Sequence, residues 1–189
     1  MRPSLSRTSK SIRILVLNNY PLGDVWQEVR RGDKPDHHLF GINHLENMGY
    51  EVKVIEPGPS NAIAALARAL RRARNPIPLG ALDRQWAAWR ALREGDVIYA
   101  PCGDELNGLA YLRAAGLLKT PLLCIQHHTL NRGRLMSLRN PFINTLVRGV
   151  DAFPALSEKV AAEINQRWRN PEHKSISLAW GPDASFYPR

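Results

Sequence analysis

Short apolar runs bounded by turn residues recur along this chain, and stretches of helical periodicity stand between them. "IRILVLNN" (12–19) opens the series. It is apolar and branched, which suits a parallel strand buried on both faces. "EVKVIEP" (51–57) alternates and reads as a second strand. "DVIYAP" (96–101), "PLLCIQ" (121–126), "VDAFPAL" (150–156) and "KSISLAW" (174–180) continue it. Between the first two, Leu39, Ile42, Leu45 and Met48 recur every three residues, so 36–48 reads as one helix bracketed by Pro35 and Gly49. Residues 60–75 form an amphipathic pattern with Ser60 placed to cap it. Residues 81–95 put Trp86, Trp89 and Leu92 on one face, a spacing that reads as core aromatics rather than a base-stacking surface. Asp104 stands at an N-cap position for 104–116. Asn140 and Pro141 read as the cap and first turn of a helix running to Arg148, and Ser157 starts the helix 158–168. Strands alternating with helices imply right-handed crossovers and a sheet covered on both faces. The predicted fold is therefore α/β, a single domain with a doubly wound, mainly parallel Rossmann-like sheet of about six strands.

At 189 residues the chain can bury roughly 70% of its unfolded surface, enough for a core without staples. Its two cysteines, Cys102 and Cys124, offer neither a disulfide framework nor metal-ligand spacing, so a reducing, cytoplasmic compartment is the expectation. No apolar run reaches the ~20 residues that span a bilayer. Residues 1–11 are basic and polar and lack an apolar signal core; they read as a disordered arm before a domain over 12–189. The formal net charge of +9 favours anionic partners. An arginine-rich composition alone also accounts for it, and no recognised motif points to nucleic acid.

In a doubly wound sheet, ligands bind outside the carboxyl ends of the strands. The segment after the first strand, "NNYPLGDVWQEVRRGDKPDHH" (18–38), has isolated glycines at 23 and 32 and no dinucleotide fingerprint. It reads as a long loop, which in a compact domain is often functional. His37 and His38 open the next helix, where an anion is favoured; the bland reading is a solvent-facing first turn, and nothing separates the two histidines. After the fourth strand comes "CIQHHT". One of His127 and His128 points to the crevice and the other packs. Neither has a partner at zinc spacing. Asp104 and Glu105 sit at the same rim, with Asp104 read first as a helix cap. Cys102 carries no signature of a catalytic thiol.

Taken in order, these segments resemble the N-terminal domain of GT-B glycosyltransferases, in particular the retaining enzymes of family 4. "IRILVLNN" stands where those enzymes begin, and "HHLFGINHLENMGYEVKVI" is similar to their first helix and second strand. "DVIYAP" and "AAGLLKTPLLCIQHHT" resemble their next two strand segments; aligned from Pro121, His127 falls on the family's active-site histidine. "VDAFPALSEKVAAEI" and "ISLAWGPDASFYP" resemble the closing segment, with Gly181, Asp183, Phe186 and Pro188 matching. The resemblance spans about 12–188. The family's paired glycines after the first strand are absent here.

The resemblance implies the N-terminal half of a GT-B fold, which shapes the acceptor site. A second Rossmann-like domain, in the same chain or another, binds the nucleotide-sugar donor. This chain stops at Arg189, where the linker to that domain is expected, so it is expected to be inactive alone. It implies transfer of a sugar to an acceptor hydroxyl with retention, and no cofactor or metal. His127 would be catalytic, and His37, His38, Asp33, His128 and Asp104 would bind substrate. Arg68, Arg71, Arg72 and Arg74 crowd one helix end, so an anionic membrane surface joins the sugar or lipid-linked acceptor among the expected partners, at the inner membrane face. The competing reading is a non-catalytic binding or membrane-docking subunit that recruits a catalytic partner.

Overall fold

In a computed structural model of the chain, residues 11–56, 62–72, 77–130, 136–168 and 175–178 are described. Ser60, Arg74, most of the basic arm and the closing segment from Gly181 lie outside them. Six parallel strands form: β1 (Arg13–Leu17), β2 (Glu51–Ile55), β3 (Val97–Ala100), β4 (Leu122–Cys124), β5 (Phe153–Ala155) and β6 (Ser175–Ser177). Their helices are α1 (Leu22–Arg30), α2 (Ile42–Asn47), α3 (Ala62–Arg72), α4 (Leu82–Ala91), α5 (Asn107–Ala114), α6 (Met136–Gly149) and α7 (Glu158–Arg167). The fold is α/β and Rossmann-like, as the alternation implied.

The strands do not make one continuous six-stranded ladder. Four pair in the order β2-β1-β3-β4, and β5 pairs with β6. Isolated parallel bridges, Leu123 to Ala152 and Gln126 to Ala155, join the two groups. The interruption has a local cause. Ala152 N–H donates to the Leu122 carbonyl and Leu156 N–H to the Gln126 carbonyl. The intervening donor would come from residue 154, which is proline and has no N–H.

Period-two alternation packs both faces of β1. Leu15 and Leu17 join Ile98, Leu122, Phe153 and the inner faces of α5, α6 and α7 in one core. Ile14 and Val16 join Leu22, Val25, Leu39 and Ile42 in the other. At the opposite, amino end of the sheet Arg13 and Asp96 are both buried. Arg13 Nε and Nη2 donate to Asp96 Oδ1 and Oδ2 at 3.0 and 2.6 Å, and Nη2 also reaches the Ala91 carbonyl at 2.7 Å.

Several local expectations are corrected. The supposed loop after β1 contains α1, whose Leu22 and Val25 are buried. The helix read over 36–48 is two pieces, a 3-10 turn (Asp36–Leu39) and α2. Phe40 and Gly41 separate them with left-handed φ of 51° and 80°. Asp104 does not cap a helix: a 3-10 turn spans Gly103–Leu106 and α5 starts at Asn107. Asn140 and Pro141 do not begin α6, which starts at Met136 and carries Pro141 inside it. Trp86 and Trp89 are not core residues. Gln85 and Ala88 take the buried face of α4, leaving the tryptophans 48% and 36% exposed. Ser157 does cap α7, accepting from Val160 N–H at 3.3 Å.

The Arg13–Asp96 pair generates the first prediction. Asp96→Ala strands a buried guanidinium and should cost about 3 kcal/mol of stability in urea unfolding. Burial works against the Asp96 carboxylate. The Arg13 hydrogen bond, the Arg93 N–H and both positive charges outweigh it, so its pKa lies below the ordinary value. Its stabilising contribution is thus present above the unfolded-state pKa and lost as pH falls through the folded one. The gap in stability between wild type and Asp96→Asn should narrow on acidification.

Candidate functional site

Strand order reverses between β1 and β3, because the chain leaves β1 for β2 on one side and returns to β3 on the other. A crevice must open there at the carboxyl ends. It is a cleft of about 250 Å³ lined by Asn19 after β1, Cys102, Gly103, Asp104 and Glu105 after β3, and Gln126, His127 and His128 after β4.

His127 is half-buried, and its Nε2 lies 2.7 Å from the Pro101 carbonyl oxygen. A carbonyl can only accept, so Nε2 carries the proton and, in the neutral ring, Nδ1 is left as the acceptor. The ring meets Phe40 edge-on, with centroids 5.5 Å apart, and lies 6.4 Å from that of the exposed His128. Phe40 alone among the described non-glycine residues has positive φ. For a bulky side chain that conformation is strained. The Tyr99 hydroxyl holds it by donating to the Phe40 carbonyl at 2.9 Å.

Gln126, the residue before His127, is buried beneath Gly103. A Cβ on Gly103 would fall 2.1 Å from the Gln126 amide nitrogen, so only glycine permits this approach. Gly80 is constrained more firmly, by backbone rather than by a side-chain end. Its φ is +70°, and a Cβ there would meet the Asp104 carbonyl at 1.9 Å. The segment before α4 therefore lies directly against the turn that carries Asp104.

Arg84 on α4 reaches over the rim. Its Nη1 donates to Glu105 Oε2 at 2.8 Å, and both side chains are largely buried. Burial raises the Glu105 pKa; Arg84 pulls it back through its hydrogen bond and charge, and the net shift remains upward. The Cys102 thiol is pushed up to about 11 by burial and then by Glu105 and Asp104. At neutral pH it stays protonated and is a poor nucleophile.

Of the residues selected from sequence, His127, His128 and Asp104 meet in the cleft. His37 and His38 stack on each other at 4.2 Å in the 3-10 turn, outside the cleft lining. They connect to it through Phe40, which follows them, and through Tyr20, whose hydroxyl donates to the His38 carbonyl. His38 has a lowered pKa, from burial first and then from the charges of His37 and Lys34. Asp33 is exposed beyond α1 and paired with Arg31 at 2.8 Å. Among the described residues, no three His, Cys, Asp or Glu side chains gather as metal ligands would. Sequence reasoning missed Asn19, Gln126 and Arg84. The first two stand two residues past strands, a signal that could have found them; Arg84 comes from the first turn of a helix and carried none.

The family model for glycosyltransferase family 4 matches residues 42–177, most of the chain. This chain belongs to glycosyltransferase family 4. The matched stretch includes Asp104, His127 and His128, whereas Asp33, His37 and His38 precede it. No curated protein matches the chain. A role in glycosyl transfer follows from the family, with sugar donor and acceptor as its substrates.

The family 4 cleft generates a second prediction, at Glu105. Its raised folded-state pKa means that its stabilising contribution is full below the unfolded carboxyl pKa and is lost as pH rises through the folded value. Arg84→Met removes the group that restrains the shift. The Glu105 carboxyl should then titrate still higher by carbon NMR, and the variant should lose stability as pH is raised from about 4. An unmoved titration would mean the pair is not formed in solution.

Proposed function

We propose that this domain is the acceptor-side, N-terminal half of a retaining GT-B glycosyltransferase, moving a sugar from a nucleotide-sugar donor to an acceptor hydroxyl without a metal. The observation that carries the reading is the polar cleft at the β1/β3 switch, with His127 held there by the Pro101 carbonyl. Transfer breaks the bond between the sugar and the leaving nucleotide and forms one to the acceptor oxygen, whose proton is released. Asp104, Asn19 and Gln126 are suited to hydroxyl groups, since they supply both acceptors and donors. His127, with Nδ1 free to accept, contacts the transferred sugar or the acceptor hydroxyl. Fixed polar groups that need not reorganise during the reaction are the main source of rate. His37, His38 and Asp33 belong to the outer mouth of the acceptor site, and His128 to its rim.

Donor contacts come chiefly from a second Rossmann-like domain, in cis or in trans. Chemistry needs both substrates in near-attack geometry, so this domain by itself should be silent. The unpaired thiols Cys102 and Cys124 suit a reducing cytoplasm.

In an assay that pairs this domain with its donor-binding partner, His127→Ala should lower turnover by about 10²-fold. Its unfolding free energy should change by less than about 1 kcal/mol. Full turnover in the variant would return His127 to a structural role. Robust transfer by the isolated domain would refute the split of labour.

A further inference from the structure

Phe40 stands at a backbone position that asks for a different residue. It ends the 3-10 turn Asp36–Leu39, its N–H donating to the His37 carbonyl at 3.3 Å, and its φ and ψ of 51° and 36° are left-handed. Glycine or asparagine is the usual occupant of such a turn end, because a larger side chain crowds the backbone there. A phenylalanine stays in that conformation only where its surroundings over-determine it. Here two tyrosine hydroxyls do so. Tyr20 donates to the His38 carbonyl, and Tyr99, on β3, donates to the Phe40 carbonyl at 2.9 Å. Burial raises the pKa of both hydroxyls, so both remain protonated donors at neutral pH.

The ring is not spent on the core. Among the described residues Phe40 joins neither apolar cluster, although Tyr20 and Tyr99 pack against the second. It is half-buried and meets His127 with 5.5 Å between ring centroids and 68° between ring planes, an attractive edge-to-face arrangement. His127 is held on its Nε2 side by the Pro101 carbonyl at 2.7 Å. A single hydrogen bond leaves an imidazole free to pivot about it. A second ring against it restricts that motion.

We propose that Phe40 is a positioning residue for His127, and that the Tyr99 hydroxyl is the latch that keeps it there. The backbone strain is retained because it sets the phenyl ring against the imidazole. The orientation of Nδ1, the acceptor left for a ligand, thus depends on a β3 side chain that lies outside the cleft lining. Its consequence for catalysis rests on the reading of His127 given above; the positioning of the ring does not.

The test starts with nitrogen NMR of the histidine rings in the full chain, without substrate or partner. In the wild type His127 should show the Nε2–H form, with its two nitrogen signals well separated, and His127→Ala identifies them by their loss. Phe40→Gly removes the ring and relieves the strain, so the chain should stay folded. Its His127 signals should nevertheless move together, as in a ring that exchanges tautomers. Tyr99→Phe deletes only the latch and should move them in the same direction by less. Phe40→Tyr keeps an aromatic edge and should preserve the wild-type signals. Paired with the donor-binding domain, Phe40→Gly should lower kcat about tenfold with the acceptor KM little changed. That loss should vanish in a His127→Ala background, because Phe40 acts through His127. Unmoved His127 signals in either Phe40→Gly or Tyr99→Phe overturn the proposal; if Tyr99→Phe does not fold, Phe40→Gly and Phe40→Tyr decide it. A loss of turnover that persists in the His127→Ala background also overturns it, and makes the phenyl ring a substrate contact. Moved signals with turnover indifferent to His127→Ala uphold the positioning and refute the catalytic reading of His127 instead.

Discussion

Arg13 and Asp96 are withdrawn from water together, and neither charge is tolerable there without the other. Arg13 begins β1; Asp96 immediately precedes β3. Their forked contact fixes the two central strands relative to each other, with Ile14 opposite Val97 and Val16 opposite Tyr99. The Ala91 carbonyl and the Arg93 N–H bring the end of α4 into the same knot. A constraint at the amino ends of parallel strands is transmitted to their carboxyl ends, because each residue advances both strands equally. Asn19 and Cys102 therefore arrive side by side, with Cys102 Sγ 3.7 Å from Asn19 Oδ1. The cleft opens between strands whose alignment is set at the far end of the sheet.

His127 is presented with comparable firmness from the neighbouring strands. Gln126 donates its backbone N–H to the Pro154 carbonyl and accepts from Leu156 N–H, while its side chain is trapped under Gly103. Pro154 interrupts the ladder at one rung but leaves the two flanking rungs intact. The residue before His127 is thus anchored to β5, and the His127 ring to the carbonyl after β3. A side chain held from both sides has little rotamer freedom left to lose when a ligand arrives.

The sheet was legible because its strands read as short apolar or alternating runs between turn residues, and all six are found. The segment after β1 was not, because what steadies α1 is not local. Pro21 offers no side-chain cap, and the Gly23 N–H is satisfied by the Glu56 carboxylate, supplied from beyond β2. The spacing of Leu39, Ile42, Leu45 and Met48 marked burial only in part: Met48 is 70% exposed, whereas Leu39 and Ile42 are fully inside. It could not reveal that Phe40 turns left-handed between them. At the site, strand-end logic located His127, His128 and Asp104. It could not find Arg84, because a helix that crosses the sheet announces nothing about which strand end it overhangs.

The misreading of α4 has a physical lesson of its own. Helical spacing identifies a face but not the side on which that face lies. Here the usual polarity is inverted. The buried side carries Gln85, which donates to the Leu79 carbonyl and accepts from Leu109 N–H, and the Arg84–Glu105 pair; the large aromatics face outward. Apolar burial on the inside is limited to small or partly covered residues such as Ala87, Ala88, Ala91 and Leu92. The helix is therefore seated largely by directional bonds, which fix its position closely but tolerate no missing partner. That arrangement frees the tryptophans from any role in the core. It also means that the element bordering the cleft is located by polar contacts to the cleft's own turn, so the position of α4 and the shape of the site are set together.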